Sequence, residues 1–358
     1  RNMIKHLGVA IGLFAAALTA SPPAVAQSAN TSAHPLFSEN TSIDVVIEGP
    51  IAELIRRAPA STDPFPAHIT IAGGAERYAL EIAPRGVSRR TLGICQFPPL
   101  RLNFERRAMR GTVFEGQNRL KLVTRCRNGA QYEQINAREY LAYRLYNLIS
   151  PHSYRVRPLR VTFRDTARGA REQVHQGFVI EDVDDVARRS RLVELDVPVD
   201  TVNSSQLDGL AATRFAVFQF MIGNLDWDMV SGRAGEDCCH NSRLLAATQT
   251  TRSGVVPAPY DFDYSGLVDA PYAVPPAQMS NLRDVRQRVY RGYCRFNEHV
   301  PAVVQEFLAQ RQAISQTIAT EGWLSDSSRR GAQRYIDQFF EIAEDPARVQ
   351  RQIIERCR

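Results

Sequence analysis

Between Phe215 and Gly266 the chain carries acid, amide and acid groups in order: Asp226 and Asp228, then Asn241 after His240, then Asp261 and Asp263. Carboxylate and amide oxygens are the ligands that hard divalent cations prefer. A cation so held neutralises a polyphosphate, which suits phosphoryl transfer or hydrolysis of a phosphorylated compound. Other chemistries fit less well. No G-x-S-x-G elbow accompanies the serines, and His240 lacks an i+4 partner for a zinc site. It reads better as a neutral histidine packed beside the loop.

The elements that must position these groups are legible. Phe215, Phe218, Met221 and Ile222 recur at helical spacing, and Gly223-Asn224 stops that helix at the acidic loop. His240-Asn241 precedes a short apolar run, a Gly turn follows, and VPAPYDFDYSG brings the second pair of acids. Asn241 and Asp261 should therefore project from the two sides of one hairpin.

The segments IGNLDWD, HNSRLL and VPAPYDFDYSG resemble the spore-coat CotH kinase-like family. Its members read roughly GNxD, then HN before an apolar strand, then P-x-DFD. The resemblance runs from about the strands near Ile69 to the helices near Ala313. This chain departs from it in a longer stretch between Met229 and Cys239. The resemblance implies a two-lobed, kinase-like α+β architecture: a β-rich amino-terminal lobe with one long helix, then a mostly helical lobe carrying the motifs. It also implies ATP or another nucleotide with Mg²⁺ or Mn²⁺, and a protein or envelope component bearing the acceptor hydroxyl. Asp226 would orient or deprotonate that hydroxyl. Asn241 and Asp261 would hold the cation, with Asp263 as a second metal ligand or as an orienter of the loop.

Lys121 stands out without any family knowledge. It is the only lysine after Lys5, in a chain that otherwise writes arginine for positive charge. A surviving lysine marks a place where a compact ammonium fits and a planar guanidinium does not. It falls mid-strand in NRLKLVTRC, and Glu139 follows in the helix predicted over 132–149. Strand lysine then helix glutamate suits an ion pair gripping nucleotide phosphates, with Glu133 as the competing partner. Arg85, in Arg85-Gly86-Val87-Ser88, could approach phosphates beside backbone N–H groups, although an ordinary polar hairpin loop is the plainer reading. Glu181, ending the strand FVIE, could face adenine and ribose at a hinge, or be a solvated turn acid.

At the amino end, Lys5, an apolar run from Leu7 to Leu18 and Ala24-Val25-Ala26 read as a secretory signal over residues 1–26. A flexible leader over 27–40, a β-rich segment over 41–198 and a helical segment over 199–358 complete the expected organisation. The mature chain should be exported, periplasmic or extracellular, with no membrane span. Losing Arg1 and Lys5 takes the formal charge from +6 to about +4. Basic residues interleave with acids, so nucleic acid is not an expected partner. Six cysteines in an exported chain imply disulfides, although adjacent Cys238 and Cys239 should not pair with each other. Little ATP reaches the outside of a cell, which keeps two alternatives open. One is a non-catalytic scaffold or binding protein of the envelope; the other is a metal-dependent phosphohydrolase.

Overall fold

The structure, a computed structural model, describes residues 34–71, 73–90, 93–167, 169–197, 202–233 and 237–358. The signal expected over residues 1–26 lies outside the described residues. The leader expected over 27–40 is described only from residue 34. There Leu36 and Phe37 are buried, and Arg157 donates to the Leu36 carbonyl at 3.2 Å. Two large apolar side chains with a barrel to pack against are not a free leader.

Alternating apolar residues build the first sheet. β1 (Ile43–Gly49) buries Ile43, Val45 and Ile47 and turns the residues between them outward. A seven-residue helix, α1 (Ile51–Arg57), leads to β2 (Phe65–Ile71), β3 (Arg77–Pro84), β4 (Leu100–Phe104) and β5 (Arg119–Val123), each antiparallel to its neighbour. The long helix α2 (Ala130–Asn147) then crosses to the hairpin β6 (Val156–Asp165) and β7 (Gln173–Ile180). β7 pairs with β5, while β6 runs parallel to β1 with Val45 opposite Val161. That last pairing closes a seven-stranded barrel and leaves no open edge. Ile47, Ile69, Ile82, Leu102, Leu122 and Val161 are fully buried.

This corrects the architecture expected from the motifs. The protein is not a two-lobed kinase-like fold. Its strands form a closed mixed barrel, and the described residues from 34 onward belong to one compact unit. The deciding contact is parallel β1–β6, between segments more than a hundred residues apart, which alternation along either strand does not announce.

After α3 (Val183–Arg189), whose first turn is capped by the Asp182 side chain, a short strand β8 (Val193–Glu194) leads towards α4 (Gly209–Ile222). α4 is capped at its start by Asp208 and stopped by Gly223 at φ 66°, a left-handed position that suits glycine. A Cβ at Gly223 would also collide with the Tyr335 hydroxyl. Phe215, Phe218 and Met221 of α4 are fully buried, so the acidic loop after Gly223 hangs from a fixed rod. β9 (Ser242–Ala246) and β10 (Val256–Pro259) form the expected hairpin and add to β8, with Ser242 opposite Pro259.

An irregular stretch follows to residue 293, and the carboxy-terminal part is helical: α5 (Val300–Ala309), α6 (Arg311–Thr320), α7 (Asp326–Ala343) and α8 (Pro346–Gln352). A turn at Gln310 separates α5 from α6, and Pro346 opens α8 after α7 ends at Ala343. The segment 285–296 forms no α-helix. There Arg291 is buried and donates to the Leu225 and Trp227 carbonyls, which holds the segment out of helical geometry. No helix among the described residues is long and apolar enough to cross a membrane.

All six cysteines are paired: Cys95 with Cys126, Cys294 with Cys357, and Cys238 with Cys239. The vicinal pair corrects the expectation. The other four cysteines are consumed in bridges across 31 and 63 residues, which leaves these two only each other.

Candidate functional site

The acidic loop and the hairpin mouth meet in one cleft of about 450 Å³, within the range of small-ligand sites. Asp226 lies on one wall. Its Oδ1 accepts from Arg233 at 2.8 Å and faces His240 Nε2 at 2.8 Å, and its Oδ2 accepts from the Asn241 amide at 3.1 Å. Burial pushes the Asp226 carboxyl up, but the His240 and Arg233 contacts outweigh it and hold the group below the usual aspartate range. Asp226 is thus ionised at any physiological pH. A carboxylate so stabilised is a weak base and a good orienter of a hydroxyl. Asp228, its neighbour, is tied to the backbone of Val230 and Ser231 and to Arg358, so it shapes the loop.

Asp261 and Asp263 line the same cleft and cluster with Glu139 behind it, with one oxygen of each within 4.8 Å of the others; Glu139 and Asp263 are buried and Asp261 is half-buried. Glu139 comes from the middle of α2, and the two aspartates follow β10. Arg89, in the turn after β3, threads among them. It lies 3.4 Å from Glu139, 3.4 Å from Asp263 Oδ2, and in contact with Asp261. Burial raises the Glu139 and Asp263 carboxyls above their ordinary range against the pull of Arg89. The Asp261 backbone N–H donates to the Tyr143 hydroxyl at 2.8 Å. Asn241 and Asp261 both take left-handed backbone, at φ 51° and 63°. Asn and Asp tolerate that region better than other side chains, and its use at the two corners of one cleft matches the strain found at functional sites.

The residues singled out in the sequence are distributed unevenly. Asp226, Asn241, Asp261 and Asp263 converge on the cleft, and Arg85 lines it with an inner guanidinium nitrogen lacking any hydrogen-bond partner. The amide nitrogen of Asn241, the residue expected on a metal with Asp261, donates to Asp226 at 2.7 Å to the carbonyl and 3.1 Å to Oδ2; a cation would be met by the amide oxygen, which these bonds do not engage. Glu139 pairs with Arg89 and not with Lys121. A guanidinium reaching three carboxylates at once outcompetes one ammonium for the same acid. Glu133, the alternative partner, pairs with Arg125 at 3.0 Å. Glu181 is buried, held by Arg189 at 3.0 Å through both oxygens and by the Arg155 N–H at 2.9 Å. It is neither a hinge contact nor a solvated acid.

The chain matches no family model and no curated protein.

Lys121, on β5, places its Nζ 4.2 Å from the ring centroid of Tyr260, which lines the cleft, and 5.9 Å from that of Tyr154. It makes no ion pair among the described residues. Burial, with Arg85 and Arg243 repelling it, brings the amine down to about 7. The lowered value means the neutral, nucleophilic form prevails above pH 7, where an ordinary lysine stays charged up to about 10.4. Acylation of the chain past residue 26 should therefore label Lys121 with a midpoint near pH 7, read by peptide mass spectrometry. A midpoint above pH 9 would contradict this environment.

Three participants escaped the sequence. Arg89 is one arginine among many and carries no signal. His240 reads as a packing histidine, yet it hydrogen-bonds Asp226; its place directly before Asn241 was the available clue. Arg233 sits in the stretch that departs from the family pattern, where no motif assigns it a role.

Proposed function

We propose that the cleft carries out metal-dependent phosphoryl transfer from a nucleotide to a protein hydroxyl, outside the cytoplasm. One observation carries the reading. An ionised, oriented Asp226 shares a cleft with Asp261 and Asp263 of the carboxylate cluster, lined also by Arg85, Arg89, Arg243 and residues 86–88. The quoted GNLD, HN and DFD segments support it through their resemblance to the spore-coat CotH kinase-like proteins. The reading concerns the chemistry of the cleft and not a kinase fold. Three disulfides support an exported location.

The donors fit a divalent cation such as Mg²⁺ or Mn²⁺. Glu139 Oε1 and Asp263 Oδ2 are buried with no hydrogen-bond partner, and all the available ligands are hard oxygens. Glu139, Asp261 and Asp263 would hold the ion, which supplies charge neutralisation for the phosphates. The chain does the rest. Arg85 and Arg243 gather negative charge at the cleft. Asp226, fixed by Asn241 and His240, accepts a hydrogen bond from the acceptor hydroxyl and aims its oxygen at the donor. Calorimetry with a non-hydrolysable ATP analogue tests this. Binding should require Mn²⁺ or Mg²⁺; equal affinity in EDTA would oppose the assignment.

The envelope-scaffold reading has one observation in its favour, because Arg89 already neutralises part of the acid cluster. A permanently neutralised cluster needs no cation.

A further inference from the structure

Arg89 occupies the centre of the site that a cation would take. It is buried, and its guanidinium reaches Glu139, Asp261 and Asp263 together. Three carboxylates against one guanidinium leave an excess of negative charge. Glu139 Oε1 is buried and accepts no hydrogen bond, and Asp263 Oδ2 meets Arg89 only as a 3.4 Å ion pair without hydrogen-bond geometry. The arginine therefore satisfies the cluster incompletely.

Arg89 is also carried on a short segment. It lies in a single 3₁₀ turn, Ser88–Arg90, between the end of β3 and the start of β4. Gly86 just before it takes φ 79°, and Val87 is largely exposed. Glu139, in contrast, stands in the middle of α2, and Asp261 is anchored through Tyr143. Of the four charged groups, only the arginine stands on a 3₁₀ turn.

We infer that Arg89 is an internal counter-ion of the Glu139–Asp261–Asp263 cluster, and that a divalent cation enters only as Arg89 withdraws. The inference rests on the metal reading of the cleft and adds the regulation of that site. Cation binding moves the turn, so the loop carrying Arg85 and Arg89 reports whether the metal is present. The withdrawn guanidinium is then free to meet the phosphates of the donor. Arg89 is on this account a positioning residue whose contacts exchange carboxylates for phosphate.

Mn²⁺ alone, titrated by calorimetry into the parent and into Arg89→Gln, tests the exchange without any turnover. An opposite charge at this range changes charge affinity about tenfold to a thousandfold. The variant should therefore bind Mn²⁺ at least about tenfold more tightly, and adding Asp263→Asn should abolish the gain. Equal or weaker binding in Arg89→Gln overturns the inference while leaving the metal reading intact. No Mn²⁺ binding in either protein overturns the metal reading itself. Should Arg89→Gln fold only in the presence of Mn²⁺, the counter-ion role is supported. Should it fold in neither condition, the parent decides: saturating Mn²⁺ should speed tryptic cleavage after Arg89, and unchanged or slower cleavage counts against withdrawal.

Discussion

Asp226→Asn is expected to lower phosphoryl transfer by about a hundredfold to ten-thousandfold, the range for a lost acid–base or orienting group in a reaction centre. Nucleotide and Mn²⁺ affinity should stay near the parent value. The Asp226 oxygens are engaged by His240, Arg233 and Asn241, and it is not one of the three clustered carboxylates, so it adds little to ground-state binding of a donor. Asparagine keeps the shape and an oxygen for Asn241 but removes the charge that the acceptor hydroxyl meets. Turnover with labelled nucleotide, beside calorimetry on the same preparation, gives both numbers. A parallel loss of binding and turnover would mean that Asp226 belongs to the metal site.

Asp261→Asn should produce the converse result. Asparagine tolerates the left-handed backbone at this position, so the substitution removes charge with little strain. The cation loses one of three carboxylates, and Mn²⁺-dependent affinity for the ATP analogue should fall by about a hundredfold or more. Thermal denaturation reports this conveniently. Ligand at a hundredfold excess over Kd stabilises the folded state by about 2.7 kcal/mol, and that increment should vanish in the variant. Asp261→Asn that keeps the full metal-dependent rise would place the cation elsewhere.

The two variants rest on parts of the chain that differ in how plainly they could be read. The helix before Gly223, the hairpin bringing Asn241 and Asp261 together, and α2 with Glu139 near its middle all follow from local periodicity and punctuation. The barrel is different. β1 alternates whether its neighbour is β2 alone or also β6, so closure depends on a distant parallel pairing that no local pattern encodes. The partner of Glu139 was hidden for a similar reason. Lys121 is conspicuous because lysine is scarce, whereas Arg89 is camouflaged by the abundance of arginine, and a guanidinium from a distant turn reaches the acid first. Arg291 shows the same effect on secondary structure, since its buried donors draw the 285–296 segment away from a helix.

The central claim is transfer of a phosphoryl group to a protein hydroxyl in this cleft, and one measurement addresses it most directly. The disulfide-bonded protein is incubated with γ-labelled ATP and Mn²⁺, beside Asp226→Asn and an EDTA control, with a hydroxyl-rich protein as acceptor. The account predicts acid-stable label on protein serine, threonine or tyrosine, lost with EDTA and reduced at least a hundredfold in Asp226→Asn. Release of label as free phosphate at the same rate in all acceptor conditions, or no cation-dependent label in any condition, would contradict it.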